Sequence, residues 1–196
     1  MKLCAGRSGQ LLNISSLAGE CGIAYNTCKS WLSYLSTSYI IQLVQPYFNN
    51  FKKKVVKTPK LFFTDTGLLC YLLGIKSIET LSIHPFRGNI FENFIFTELL
   101  KQRTNNGKES RIWFWRDNHG TEIDFLLEDE NKICCMEAKS GMNFHPAYLK
   151  NLVLVKKYYP GIHKRIIVYA GSVERKINEI DLINWRQLND YVEKEC

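Results

Sequence analysis

Between Leu11 and Leu35 the apolar positions recur at helical spacing in two short runs, parted by Gly22. In the first run Leu17, Ala18 and Cys21 form the apolar face, with Ser15 or Ser16 expected as the cap and Gly22 as the left-handed residue that ends the helix. In the second, over residues 25–36, Cys28, Trp31, Leu32 and Leu35 fall at i, i+3, i+4 and i+7. Tyr25, Asn26, Thr27, Lys29 and Ser30 are left on the outward side. This is the spacing of a helix-turn-helix, whose second helix enters the DNA major groove. Residues 39–44 then read as a strand, 45–51 as a loop and 53–56 as a returning strand that Pro59 ends. A helix-turn-helix followed by such a hairpin predicts a winged helix. Residues 61–63 read as a third strand, and Asp65 as the cap of a helix over 66–73.

Residues 74–86 carry Pro85 and no periodicity, and the domain boundary is placed there, giving domains 1–80 and 81–196. The second domain opens on a helix over 88–101 that is apolar over much of its girth, with Ile90, Phe91, Phe94, Ile95 and Leu99. Glu92 sits among these hydrophobes, where a lone carboxylate is costly without a partner or a metal. Three strands are predicted at 111–116, 121–127 and 132–139, then a helix at 146–158 and a very apolar strand at 164–170. Residues 181–191 read as a terminal helix or irregular cap. The order is αβββαβ, and the fold class is mixed α/β (α+β).

The hairpin between the second and third of these strands carries the candidate chemistry. If its turn is centred between Glu130 and Asn131, opposed residue numbers sum to 261, so Asp124 faces Glu137, Leu126 faces Cys135 and Glu122 faces Lys139. These share one face, and the alternate face is apolar throughout (Ile123, Phe125, Leu127, Cys134, Met136, Ala138), which fixes the register. Two adjacent carboxylates repel unless a cation lies between them. A hard, oxygen-seeking divalent ion such as Mg2+, or Mn2+, answers that need. An exposed, salt-bridged strand pair such as Glu122–Lys139 is the plainer expectation for an arbitrary hairpin.

Composition narrows the field. The 196 residues are 45% hydrophobic and 23% charged, the balance of a globular protein rather than a disordered or fibrous one. No apolar run approaches the roughly 20 residues of a membrane-spanning helix, and no secretory signal opens the chain, so a soluble, cytoplasmic protein with no membrane partner is expected. The net charge of +7 points to polyanions where it is clustered. Lys52, Lys53, Lys54, Lys57 and Lys60 lie within nine residues, behind Tyr47, Phe48 and Phe51. The seven cysteines contain no C-x-x-C pair and are read as reduced thiols.

Asp124, twelve intervening residues, then Glu137-Ala138-Lys139 resembles the catalytic signature of the PD-(D/E)XK nuclease superfamily, and the αβββαβ order resembles its restriction-endonuclease-like core. More particularly, Gly88-Asn89-Ile90-Phe91-Glu92-Asn93-Phe94, Trp113-Phe114-Trp115-Arg116, Glu122-Ile123-Asp124-Phe125, Glu137-Ala138-Lys139-Ser140 and residues 59–68 resemble the C-terminal region of a large prokaryotic family of AAA-type ATPases. The resemblance implies a Mg2+- or Mn2+-dependent phosphodiesterase in which Asp124, Glu137 and Glu92 hold the metal and Lys139 assists. It implies DNA as partner, met by Tyr25, Asn26, Thr27, Lys29, Lys52, Lys53 and Lys54, with Arg116 either at a phosphate or in a structural salt bridge. No G-x-x-x-x-G-K-[ST] motif is present, so there is no ATP site in this chain, and an ATPase domain or subunit is expected elsewhere. The alternatives are a catalytically inactive nucleic-acid-binding or regulatory module, and an assembly domain using its exposed aromatics.

Overall fold

The computed structural model describes residues 1–48, 56–129 and 132–196. The chain is a mixed α+β protein in two compact units that do not follow a single cut in the sequence. Residues 1–44 and 58–97 form the first, and residues 45–57 and 98–196 the second.

The first unit contains α1 (Lys2–Ala5), β1 (Gln10–Leu11), α2 (Ile14–Cys21), α3 (Tyr25–Thr37), β2 (Ile41–Val44), β3 (Lys60–Phe63), α4 (Thr66–Leu72), α5 (Ile78–Ile83) and the start of α6 (Arg87–Asn105). The α2 helix begins at Ile14, ahead of both expected serine caps, and Asn13 caps it, accepting from the Ser16 N–H at 3.0 Å. Gly22 takes the left-handed turn, at φ +64°, and Ala24 opens α3 without a side-chain cap. Cys28 and Leu32 are buried, but Trp31, expected on the same apolar stripe, is 54% exposed. Asp65 caps α4 through the Leu68 N–H. The α5 helix, capped by Ser77, occupies part of the stretch expected to be an irregular connector. Its six residues are too short for a periodic pattern to declare them.

The sheet has the order β1-β3-β2, all antiparallel, with Ile41 opposite Phe63 and Val44 opposite Lys60. The described partner of β2 is therefore β3. Of the strand expected at 53–56, residues 53–55 lie outside the described residues, and Val56 donates its N–H to the Arg116 carbonyl in the second unit. Lys60, counted with the basic cluster in the sequence, is 1% exposed and ion-paired to Glu92 at 2.8 Å.

The run 88–93 clasps this sheet. Asn93 is fully buried; its Oδ1 accepts from the Ser8 hydroxyl and the Phe63 N–H, both at 2.7 Å, and its Nδ2 donates to the Phe63 carbonyl and to Thr66 Oγ1. Asn89 donates to the Ser8 carbonyl. Asn93 thus takes up both the N–H and the carbonyl of Phe63, beyond the reach of β1, and ties β3, the start of α4 and the α1–β1 turn to α6.

The second unit is built on a six-stranded sheet with the order β4-β5-β6-β7-β9-β8. Its strands are β4 (Ile112–Arg116), β5 (Glu122–Asp129), β6 (Lys132–Lys139), β7 (Lys164–Tyr169), β8 (Arg175–Ile177) and β9 (Ile180–Asn184). The first three form an antiparallel meander, and β6, β7 and β9 run parallel. The parallel step from β6 to β7 needs a crossover, supplied by α7 (Lys150–Tyr158) after a short 3-10 turn. Leu152 and Val155 of α7 are fully buried in a core with Leu126, Cys135 and Ile167. The expected helix at 181–191 is instead β9, a 3-10 turn and α8 (Leu188–Glu195). Asn178 and Glu179, both at positive φ, turn β8 into β9, a hairpin turn that the polar pair did not advertise.

The cysteines correct the reduced-thiol expectation. Cys134 on β6 and Cys196 after α8 form a disulfide, with Cα atoms 5.9 Å apart, closing 62 residues. In the chain-entropy account such a loop is worth about 4 kcal/mol. Cys4, Cys21, Cys28, Cys70 and Cys135 are free thiols.

Asn93→Ala removes four hydrogen bonds and leaves the Phe63 backbone groups without their side-chain partner in a dry site. The expected loss is about 2–4 kcal/mol in urea unfolding, with a change under about 0.5 kcal/mol contradicting the clasp.

Candidate functional site

The β5–β6 hairpin has the register that the alternation predicts. Pairs run from Asp129–Lys132 through Leu126–Cys135 to Phe125–Met136. One position further on, the Asp124 carboxylate accepts the Ala138 backbone N–H at 2.9 Å, so Oδ2 of Asp124 is fixed against β6 beside Glu137. Lys139 completes the group. Its ammonium donates to Glu137 Oε2 and lies 3.6 Å from Asp124 Oδ2. The other oxygen, Glu137 Oε1, accepts from the side-chain amide of Asn151 on α7 at 3.3 Å.

This is not the exposed strand pair that an arbitrary hairpin would offer. The β5–β6 sheet is apolar on both faces, because α7 covers the side that carries Leu126 and Cys135, and the polar groups sit at the end of that covered side. Glu137 is 2% exposed. Burial, followed by the neighbouring Asp124 charge, pushes its carboxyl up to about 8 from an ordinary 4.5, against the opposing pull of Lys139 and Asn151. Two carboxylates and one ammonium leave one negative charge over when both acids ionise. The free energy that raises the Glu137 carboxyl is the free energy that a cation would recover.

Glu122 lies opposite Arg116 on β4, the neighbour of β5 on the side away from β6, and accepts from its guanidinium at 2.8 Å. Arg116 is thus in an ion pair with Glu122, the salt bridge expected as the alternative to a phosphate contact. Glu122 also brings a carboxylate oxygen within 4.8 Å of one from Asp124, adding an acid that the alternation alone assigns to Lys139. Asn151 has no signal in the sequence, since nothing in an amphipathic helix marks which polar residue reaches under its edge. Glu92 belongs to the first unit, where it is ion-paired to the buried Lys60 ammonium at 2.8 Å.

Of the residues assigned to nucleic acid, Tyr25, Asn26, Thr27 and Lys29 all lie exposed on the first turns of α3. Lys52, Lys53 and Lys54 lie outside the described residues. Among the described residues no helix is long and apolar enough to cross a membrane.

A proton held by the buried Glu137 has a consequence for stability. The folded carboxyl keeps its proton up to about pH 8 while the unfolded one releases it near 4.5. Between these values the folded chain binds the extra proton, and stability falls as pH rises, by at most about 1.4 kcal/mol per pH unit. In metal-free buffer, unfolding free energies from about pH 5 to pH 8 are expected to show this decline in the wild type and to lose it in Glu137→Gln. Equal slopes in the two proteins would contradict a protonated Glu137.

Residues 87–188, more than half of the chain, match the family model described as a domain of unknown function (DUF4143). Residues 1–79 match a second model, also described as a domain of unknown function (DUF8612). Two uncharacterised proteins, Rv2008c of Mycobacterium tuberculosis and Mb2031c of Mycobacterium bovis, are each 30% identical over 120 residues, which is 61% of this chain and 26% of the relative. The match thus spans about a quarter of the length of these relatives.

Proposed function

This chain belongs to the DUF4143 family, a domain often found with AAA ATPase domains, and we propose that its second unit is a divalent-metal-dependent phosphodiesterase of the PD-(D/E)XK type, brought to DNA by a first unit of winged-helix type. The observation that carries the reading is the convergence of Asp124, Glu137 and Lys139 at one buried end of the β5–β6 hairpin, with the Glu137 carboxyl raised by burial and by its acidic neighbour. Support for the nuclease type comes from the element order of α6, the β4–β5–β6 meander, α7 and β7. Support for the winged helix comes from the order α1-β1-α2-α3-β2-β3 and the β1-β3-β2 sheet.

The donor set fits a hard cation, since it offers carboxylate oxygens and one uncompensated negative charge, with no thiol or imidazole among them. Asp124 and Glu137 are the residues that would hold Mg2+ or Mn2+, with the Ala138 carbonyl as a further oxygen. Such an ion, when bound, polarises the scissile phosphate and acidifies a water. The chain's own contribution is positional. The Ala138 N–H fixes one Asp124 oxygen, and the packing of α7 excludes water from Glu137. The Lys139 ammonium orients the attacking water and offsets charge that develops on the phosphate. An ATPase domain or subunit, and DNA as substrate, belong to the same proposal.

One observation favours a second reading, a non-catalytic binding module. Both Glu137 oxygens already have donors in Lys139 and Asn151, as a purely structural polar cluster also requires.

Calorimetry with Mn2+ and a cleavage assay on duplex, single-stranded and RNA substrates separate the two. Asp124→Asn and Glu137→Gln are each expected to weaken Mn2+ binding by about tenfold or more and to abolish cleavage. Lys139→Ala is expected to retain Mn2+ affinity and lose turnover, since an ammonium stabilises charge but is no ligand. Wild-type protein that neither binds Mn2+ nor cleaves any substrate would establish the binding module instead.

For the DNA-binding part of the proposal, replacing Lys52, Lys53 and Lys54 together by Ala is expected to lower the log–log salt slope of duplex DNA binding by about 0.9 for each phosphate that is no longer neutralised. An unchanged slope would take these lysines out of the interface.

A further inference from the structure

Glu137 is held by two donors of different character. Lys139 reaches Oε2 on a flexible four-carbon stem, and its side chain is 27% exposed. Asn151 reaches Oε1 on a short side chain, from a helix whose next residue, Leu152, and whose next turn, at Val155, are both fully buried. The first donor is charged and partly exposed. The second is neutral and anchored by the core.

A cation arriving between Asp124 and Glu137 repels the Lys139 ammonium, which can swing toward solvent. It does not repel the neutral Asn151 amide, which keeps its hydrogen bond to Oε1. Oε1 therefore stays occupied, and Oε2 is the oxygen left for the ion. A carboxylate with one oxygen already committed binds in monodentate fashion. That suits Mg2+ and Mn2+, which take near-octahedral single-oxygen ligands, and it handicaps Ca2+, whose larger and looser shell readily uses a carboxylate through both oxygens.

We propose that Asn151 is a positioning residue that holds Glu137 to one-oxygen coordination and thereby biases the site toward small divalent cations over Ca2+. The inference rests on the metal-site reading of the second unit and assigns Asn151 a role in it beyond packing. The sequence pattern of α7 does not require an amide there. Asn151 lies one residue before the apolar stripe, where any helix-forming polar residue would serve a solvated edge.

The test is calorimetric titration of Mn2+ and of Ca2+ into the whole chain, for wild type, Asn151→Ala and Asn151→Leu. The leucine variant matches asparagine in size and guards against loss of packing in the alanine variant. The proposal expects the ratio of Mn2+ to Ca2+ affinity to fall by about tenfold in both variants, in the range seen when a residue that orients a metal ligand is removed. Mn2+ binding should weaken while Ca2+ binding is kept or improves. A residue that only packs α7 would lower both affinities together and leave the ratio unchanged, and that result overturns the role of Asn151 while the metal site stands. A wild-type chain that binds neither ion overturns the metal-site reading itself, and this inference with it.

Discussion

Everything at the candidate site depends on placing the Glu137 carboxyl out of water. A carboxyl at 2% exposure must be protonated, paired or bound to a cation, because its ionised form loses several kcal/mol of hydration. The chain supplies two donors and one like charge: Lys139 from two residues along the same strand and Asn151 from the crossover helix donate to it, while Asp124 on the adjacent strand opposes its ionisation. None of these can be moved alone. The β5–β6 register places Asp124, the alternation of β6 places Lys139, and the burial of Leu152 and Val155 seats α7 so that Asn151 reaches Oε1. The surrounding apolar sheet is therefore the device that keeps a proton on Glu137 or, on the reading proposed here, exchanges it for a metal.

Much of this was legible because period-two alternation leaves little choice of register. A slip of one residue would turn Ile123, Phe125 and Met136 onto the face of the acids. Asp65 as a helix cap and the two helices around Gly22 were legible for the same reason, that short-range geometry decides them. Long-range partners were not. β4 lies on the other side of β5 from β6 and brings Arg116 to Glu122, an ion pair that the β5–β6 alternation does not announce. Lys60 read as one member of a basic run, although its strand is interior and its ammonium is buried against Glu92. The Cys134–Cys196 disulfide joins a strand to the chain end, a pairing that spacing cannot announce.

The motif from Gly88 to Asn93 shows how a resemblance can mix two kinds of residue. Its asparagines are structural: Asn93 meets the hydrogen-bonding needs of Phe63, Ser8 and Thr66, and Asn89 holds the Ser8 carbonyl. Glu92, the expected extra ligand, is ion-paired to the buried Lys60 within the first unit, the opposite charge that a carboxylate among hydrophobes needs.

The central claim is that a divalent cation and a proton compete for Glu137. It is tested most directly by carbon-13 NMR titration of the Glu137 carboxyl, with and without saturating Mg2+. The account predicts a titration near pH 8 in the metal-free protein, falling by about one pH unit or more when Mg2+ is present. A Glu137 carboxyl that titrates in the same place with and without Mg2+ would contradict it.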